Sequence, residues 1–122
     1  MDKENTLTIL TKQFIMDVIP CCEELKSMGQ AVFASLLETQ ALSLDFASNF
    51  AASALTKEKF ISHIEDGYYS SGKIEQSLKL LDDMDMGFKN QPILLESINK
   101  IHRMFAASYK TATKNQTSKE LE

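Results

Sequence analysis

Turn-forming residues are scarce in this sequence, which has two prolines and four glycines among 122 residues. The alternation of β-branched residues between Asn-Gly or Pro-Gly turns, which marks hairpins, is also missing. Apolar residues make up 43% of the chain and charged residues 25%, as in ordinary globular domains. These features exclude a strand-rich or disordered chain and predict one all-α domain.

Long apolar runs are missing as well. No stretch approaches the roughly 20 apolar residues of a membrane span, and residues 1–5, MDKEN, lack the form of a signal peptide. Cys21 and Cys22 are adjacent, and an intrachain disulfide at that spacing would be strained and would close no useful loop. Reduced thiols fit a reducing compartment. We therefore expect a cytoplasmic protein that contacts no membrane.

Sequence motifs of enzymes are absent. The chain has no Gly-rich phosphate loop, no Gly-x-Ser-x-Gly elbow, no Cys-x-x-Cys and no His-Glu-x-x-His. His63 and His102 are the two histidines, and neither has a carboxylate or a second histidine four residues away. We predict no catalytic residues, no metal or other cofactor and no small-molecule substrate.

The first helix is predicted from about Asn5 to Met28. Its apolar face follows spacings of four and three residues through Leu7, Thr11, Phe14, Val18, Cys21, Leu25 and Met28. Pro20 lies inside this segment and either kinks the helix or starts a new one. Because the apolar face continues in phase, we favour one kinked helix, which ends at Gly29.

The next segment, Val32 to Leu55, is apolar on two sides when drawn as a helix. One face consists of Phe33, Leu37, Leu44, Ala51 and Leu55. The roughly opposite face consists of Val32, Leu42, Phe46 and Phe50. A helix with two apolar faces must be covered on both.

Two further helices follow. Thr56 is a suitable N-cap for a helix from Lys57 to Met86, whose apolar positions stay in phase across Gly67 and Gly72. These positions are Phe60, Ile61, Ile64, Tyr68, Ile74, Leu78 and Leu81. Pro92 begins the fourth helix, whose predicted core positions are Leu94, Ile98, Ile101, Phe105 and Ala112. The fold prediction is an antiparallel up-down-up-down four-helix bundle over residues 1–114, followed by a polar, frayed tail over residues 115–122.

The second apolar face of the central helix predicts self-association. Each helix of a four-helix bundle buries about one stripe, so the other stripe is interpreted as a subunit interface. Its predicted anchors are Val32, Leu42, Phe46 and Phe50, because buried aromatic and large apolar side chains dominate such interfaces. The alternative is a monomer whose own helices cover both faces.

A basic stripe lies along the last helix. It is formed by Lys100, Arg103, Lys110 and Lys114, at intervals of three, seven and four residues. A partner-binding role is one interpretation, and the other is that the helix dipole favours cations near a C-terminus. The formal net charge of −4 argues against a broad nucleic-acid surface but allows a local one.

Several segments carry a resemblance to a known family. They are FASNFAAS at Phe46–Ser53, Phe60–Ile61, SSGKIEQSL at Ser70–Leu78, and Ile98–Phe105. From Phe33 to Ala112 the chain resembles the four-helix-bundle proteins encoded in 23S ribosomal RNA intervening sequences and their relative, the accessory variability determinant of diversity-generating retroelements. The resemblance implies a four-helix bundle that assembles into a ring, typically a pentamer.

The functional prediction is a non-enzymatic, ring-forming homo-oligomer that acts as a scaffold or accessory protein. Its main partner is a second copy of the same chain. The alternative is an RNA-binding accessory protein that uses the basic stripe, with RNA or an RNA-processing protein as its partner.

Overall fold

The computed structural model describes residues 3–86 and 89–121, with side chains for residues 6–86 and 89–114. This part of the chain forms four α-helices: α1 Lys3–Ser27, α2 Ala31–Ala52, α3 Lys57–Asp83 and α4 Gln91–Leu121. Neighbouring helices pack in the order α1, α2, α3, α4, and α4 closes against α1. Because consecutive helices lie side by side through short connections, they run antiparallel. The predicted up-down-up-down four-helix bundle is confirmed.

The first helix continues through Pro20 as one element, as the unbroken apolar face predicts. It ends at Gly29, which has φ +80°. The amide of Gln30 donates to the carbonyl of Leu25 at 2.8 Å, and the amide of Gly29 donates to that of Lys26 at 3.1 Å. This is a Schellman motif, which satisfies carbonyls at the helix end and turns the chain toward α2.

The third helix runs across both of its glycines, as predicted. Thr56 caps its start, and the Thr56 hydroxyl accepts a hydrogen bond from the amide of Lys59 at 3.1 Å. At Gly67 an added Cβ would overlap the ring of Phe105 on α4. Gly67 therefore leaves room for the Phe105 ring against the backbone of α3. This packing explains a glycine inside a helix, where it costs about 1 kcal/mol relative to alanine.

The end of α3 comes three residues before the predicted Met86. Asp85 has φ +55°, in the left-handed region that few side chains adopt readily. The amide of Met86 donates to the carbonyl of Leu81 at 2.9 Å, and the amide of Asp85 donates to that of Asp82 at 3.1 Å. The chain thus closes α3 with the same motif as α1, but with aspartate where glycine is usual.

The core contains most of the predicted positions. All five predicted core residues of α4 are buried, as are the predicted residues of α1 from Leu7 to Leu25. Tyr68, on the predicted apolar side of α3, is 37% exposed. Two further residues that the periodic pattern placed on buried faces are exposed: Met28 and Leu55. The prediction was wrong there because α1 ends at Ser27 and α2 at Ala52, so both residues lie in connections.

The backbone of α4 is helical to Leu121, so the predicted domain boundary at Lys114 falls inside this helix. Side chains from residue 115 onward lie outside the described set, and the frayed tail stays a prediction. Across the described residues, every helix falls short of the length or hydrophobicity that crossing a bilayer requires.

Candidate interaction surfaces on α2 and α4

The outward side of α2 carries five large apolar side chains that are well exposed. We call them the α2 outer face: Val32 (83% exposed), Leu36 (41%), Leu42 (53%), Phe46 (55%) and Phe50 (54%). Four of them are the predicted subunit anchors. Leu36 was missed, although it follows Val32 by one helical turn and so shares its side of the helix. No part of the described chain covers this second apolar face.

Charge is absent from the exposed surface of α2. Its exposed residues are Ala31, Val32, Ser35, Leu36, Thr39, Leu42, Phe46, Asn49, Phe50 and Ala52. The charged residues of α2, Glu38 and Asp45, are half-buried at its edges, and Glu38 Oε1 lies 2.8 Å from Lys26 Nζ of α1. Covering the α2 outer face would therefore not take any exposed charged side chain of α2 out of water. The free-energy cost of burying a charge does not oppose a contact through this face.

The inner side of α2 is already occupied by the core. Leu37 and Leu44 are fully buried there, among alanines that let α1 and α3 approach closely. The hydroxyls of Thr11 and Ser48 share a buried hydrogen bond of 3.0 Å between α1 and α2. Because rotating α2 would expose these groups, the described part of the protomer cannot hide Phe46 and Phe50 without disrupting its core.

Aromatic rings extend the α2 outer face toward α3. The rings of Phe46 and Phe50 lie 6.3 Å apart between centroids, and the Phe50 ring lies 5.5 Å from the imidazole of His63 on α3. Phe46, Phe50, His63 and Tyr69 are among the residues that line a groove of about 630 Å³ between the two helices. The exposed apolar surface is therefore a ridge beside a depression, a shape that another protein surface can fit.

The structure places all four residues of the basic stripe on the exposed side of α4. The ion pairs found among the described residues all involve Lys26, so the stripe is not neutralised by a described carboxylate. α2 and α4 do not contact each other, since they lie diagonally across the bundle. The basic stripe and the α2 outer face therefore point to opposite sides of the molecule.

The two thiols are poor nucleophiles. Cys21 and Cys22 are free and buried. Burial raises the pKa of Cys22 to about 11, with Glu38 adding to the effect, and burial also raises the pKa of Cys21. Because the thiolate is the reactive form, both residues serve as small core side chains.

The two histidines have structural neighbours. His63 lies against Phe50, and His102 Nδ1 lies 2.8 Å from the hydroxyl of Ser71 on α3. The described side chains include no group of three or more His, Cys, Asp or Glu residues that could hold a metal ion.

Comparisons with known proteins bear on the fold. No protein-family model matches the sequence, and no curated protein is detectably similar to it. A solved structure with the same fold is that of a protein of unknown function from the S23 ribosomal protein family of Bacteroides thetaiotaomicron VPI-5482. It superimposes with a TM-score of 0.82 at 14% sequence identity, covering 89% of this chain and 99% of that one. The chain therefore shares its four-helix architecture with a member of that family.

Proposed function

We propose that this protein is a non-enzymatic homo-oligomeric scaffold or accessory protein that assembles through the α2 outer face. The observation that carries the proposal is an uncharged helix surface with two half-exposed phenylalanines that no described part of the protomer covers. Isolated exposed apolar residues are common on monomers, but a contiguous patch marks a contact surface.

The size of the α2 outer face supports a protein partner. A free Val, Leu or Phe side chain exposes roughly 150–200 Å². Multiplying this area by the exposed fraction of each of the five residues gives a total exposed apolar area of about 500 Å². A monomer's largest apolar patch is about 300–600 Å², and a stable interface buries about 800 Å² on each partner. The α2 outer face therefore supplies more than half of one side of an ordinary interface.

A second copy of this chain is the occupant that fits best. The α2 outer face needs a partner surface that is equally apolar and uncharged, and each additional copy brings one. If the α2 outer faces of two copies pack against each other around a twofold axis, the assembly is a dimer. If the α2 outer face of each copy packs against a different surface of the next copy, the assembly can close into a ring. The ring, with five subunits as its expected number, follows from the sequence resemblance to intervening-sequence proteins.

The molar mass in solution tests the proposal. Size-exclusion chromatography with light scattering should give a single species whose mass is a whole multiple of the 13.7 kDa protomer. A five-fold multiple would support the ring. A mass of 13.7 kDa at all concentrations up to hundreds of micromolar would contradict self-association.

A second candidate function is nucleic-acid binding by the basic stripe. It is favoured by four exposed cations on one side of α4 that no described carboxylate neutralises. Binding of an RNA oligonucleotide should weaken steeply with salt, because each phosphate contact releases counterions. Reversing the charge at Arg103 and Lys110 together should abolish RNA binding. RNA binding that depends neither on salt nor on this double substitution would exclude the basic stripe as the binding site.

A further inference from the structure

All three tyrosines of the chain line one groove. Tyr68 and Tyr69 come from α3 and Tyr109 from α4, and they meet along a groove of about 280 Å³. Glu65, Ala106 and Lys110 complete the lining. Known ligand pockets occupy about 300–1,000 Å³, so this groove suits one planar ring system better than a large ligand.

Contacts with His102 and Ser71 fix the position of Tyr68 in the groove wall. The ring of Tyr68 stacks on the imidazole of His102, with centroids 4.4 Å apart and planes at 23°, and meets Tyr69 edge-on at 5.6 Å. The Ser71 hydroxyl donates to the carbonyl of Tyr68 at 3.0 Å. The Ser71 hydroxyl also lies 2.8 Å from His102 Nδ1, in a hydrogen bond whose donor depends on the histidine tautomer. This chain of contacts orients Tyr68 and leaves Tyr69, which is 59% exposed, as an open stacking surface.

Positive charge lies directly beside these rings. Lys110 lines the tyrosine groove and is also a member of the basic stripe. From Lys100 to Lys114 the stripe extends for about 21 Å along α4. Lys73 lines a neighbouring groove of about 350 Å³, which shares Tyr68 and Tyr69 and includes His102. Of the nearby carboxylates, Glu65 lines the tyrosine groove, and Glu75 accepts a hydrogen bond from Asn99 at 2.8 Å.

We propose that the tyrosine groove is a base-stacking site for single-stranded nucleic acid, with the phosphates following the basic stripe. Exposed aromatic rings beside a cationic track are what proteins use to bind single strands, because every base has a face that stacks. A duplex keeps its bases paired and stacked internally, so it could use the stripe but not the rings. The proposal rests on nucleic-acid binding by the stripe and adds the form of the ligand and the residues that contact its bases.

The chain provides its own optical probe for this proposal. It has no tryptophan, and all of its tyrosines lie in the groove. Stacking of a base on Tyr69 or Tyr109 should therefore quench most of the protein's intrinsic fluorescence. A single-stranded 12-nucleotide RNA, the single-stranded DNA of the same sequence and the corresponding duplex would each be titrated at low salt, with anisotropy of a labelled strand as a second readout.

Three variants separate the contributions. Tyr69→Ala should weaken single-strand binding by about 5- to 150-fold, the range for losing one stacked base, while Tyr69→Phe should retain near-wild-type affinity because the ring remains. Lys110→Glu should weaken binding of both single strands and duplex. Tyr69 is largely exposed, so neither change at this position should disturb folding. Because Tyr69 also lines the groove beside the α2 outer face, the molar mass of both variants would be compared with that of the wild type before binding is measured.

The outcomes distinguish the groove from the stripe. If the oligonucleotides bind but Tyr69→Ala has no effect, or duplex binds as tightly as single strand, the groove proposal is overturned and the stripe proposal stands. If no oligonucleotide binds, both fail, and a protein partner becomes the better occupant. Equal losses for Tyr69→Ala and Tyr69→Phe would also overturn stacking. Equal affinities for single-stranded RNA and single-stranded DNA would support the site as proposed. A higher affinity for one of them would identify the kind of nucleic acid that the groove binds.

Discussion

Phe46→Asp is the most informative single change for the proposed assembly. In the protomer the Phe46 side chain is 55% exposed, so the bundle does not depend on it for its core. In an assembly built on the α2 outer face, the same ring would lie at the contact between subunits. The substitution should therefore leave a helical protomer but prevent association.

The expected magnitude follows from the exposed area. A phenylalanine side chain that exposes roughly 200 Å² when free has about 110 Å² left to bury at an interface. At about 25 cal/mol per Å², covering that area contributes about 2.7 kcal/mol, or a roughly 100-fold change in dissociation constant. Phe46→Ala should approach this loss, and Phe46→Asp should exceed it because a carboxylate would have to leave water.

The assay is light scattering over a concentration series, with circular dichroism to check helix content. Ile93→Asp is the matched control, because Ile93 is 62% exposed and lies on α4, diagonally across from α2. We expect Phe46→Asp to be monomeric or insoluble and Ile93→Asp to match the wild type. An oligomer that persists unchanged in Phe46→Asp would refute the role of the α2 outer face.

Three further predictions concern stability. Gly67→Ala should lower the free energy of unfolding by about 1–3 kcal/mol in urea titrations, because its methyl group would overlap the buried Phe105 ring. Asp85→Gly should raise the thermal midpoint followed by circular dichroism by about 2–5 °C, since glycine adopts φ +55° without steric cost. The free energy of unfolding should fall as the pH rises above 9, because burial raises the pKa of Cys22 from its ordinary value of 9.0 to about 11 in the fold, so the unfolded chain loses this proton first.

Each stability prediction has its own control. Gly72→Ala offers the same gain in helix propensity as Gly67→Ala, but its Cβ would meet only the edge of His102 at 3.2 Å, so it should cost less. If Asp85→Ala stabilised the protein as much as Asp85→Gly, charge removal and not backbone geometry would be responsible. The decline between pH 9 and 11 should be shallower in Cys22→Ala, and an unchanged slope would show that other groups cause it.

The sequence predicted the helices well where a single continuous apolar face marks the whole helix. The spacing in α1 is regular enough to carry the helix across Pro20, and the apolar phase in α3 correctly outweighed the glycines. Leu55 was misplaced because periodicity does not show where a helix stops, and Ser53 ends α2 without a glycine or proline after it.

The surfaces were less predictable. Val32, Leu42, Phe46 and Phe50 were found from α2 alone, since their exposure follows from which side of one helix faces inward. The tyrosine groove was missed because Tyr68 reads as a core position of α3, and its contact with His102 depends on how α3 and α4 are rotated against each other. The two helices also meet at Gly67 and Phe105, a pairing between residues 38 positions apart that local patterns do not contain.

The diagonal placement of α2 and α4 has a consequence for avidity. An assembly that buries the α2 outer face against any surface other than α4 leaves every α4 free, so each added subunit would increase the number of cationic tracks on the particle. A flexible strand held by one track is then kept near the next at high effective concentration, and weak sites in series can hold it far more tightly than one site alone.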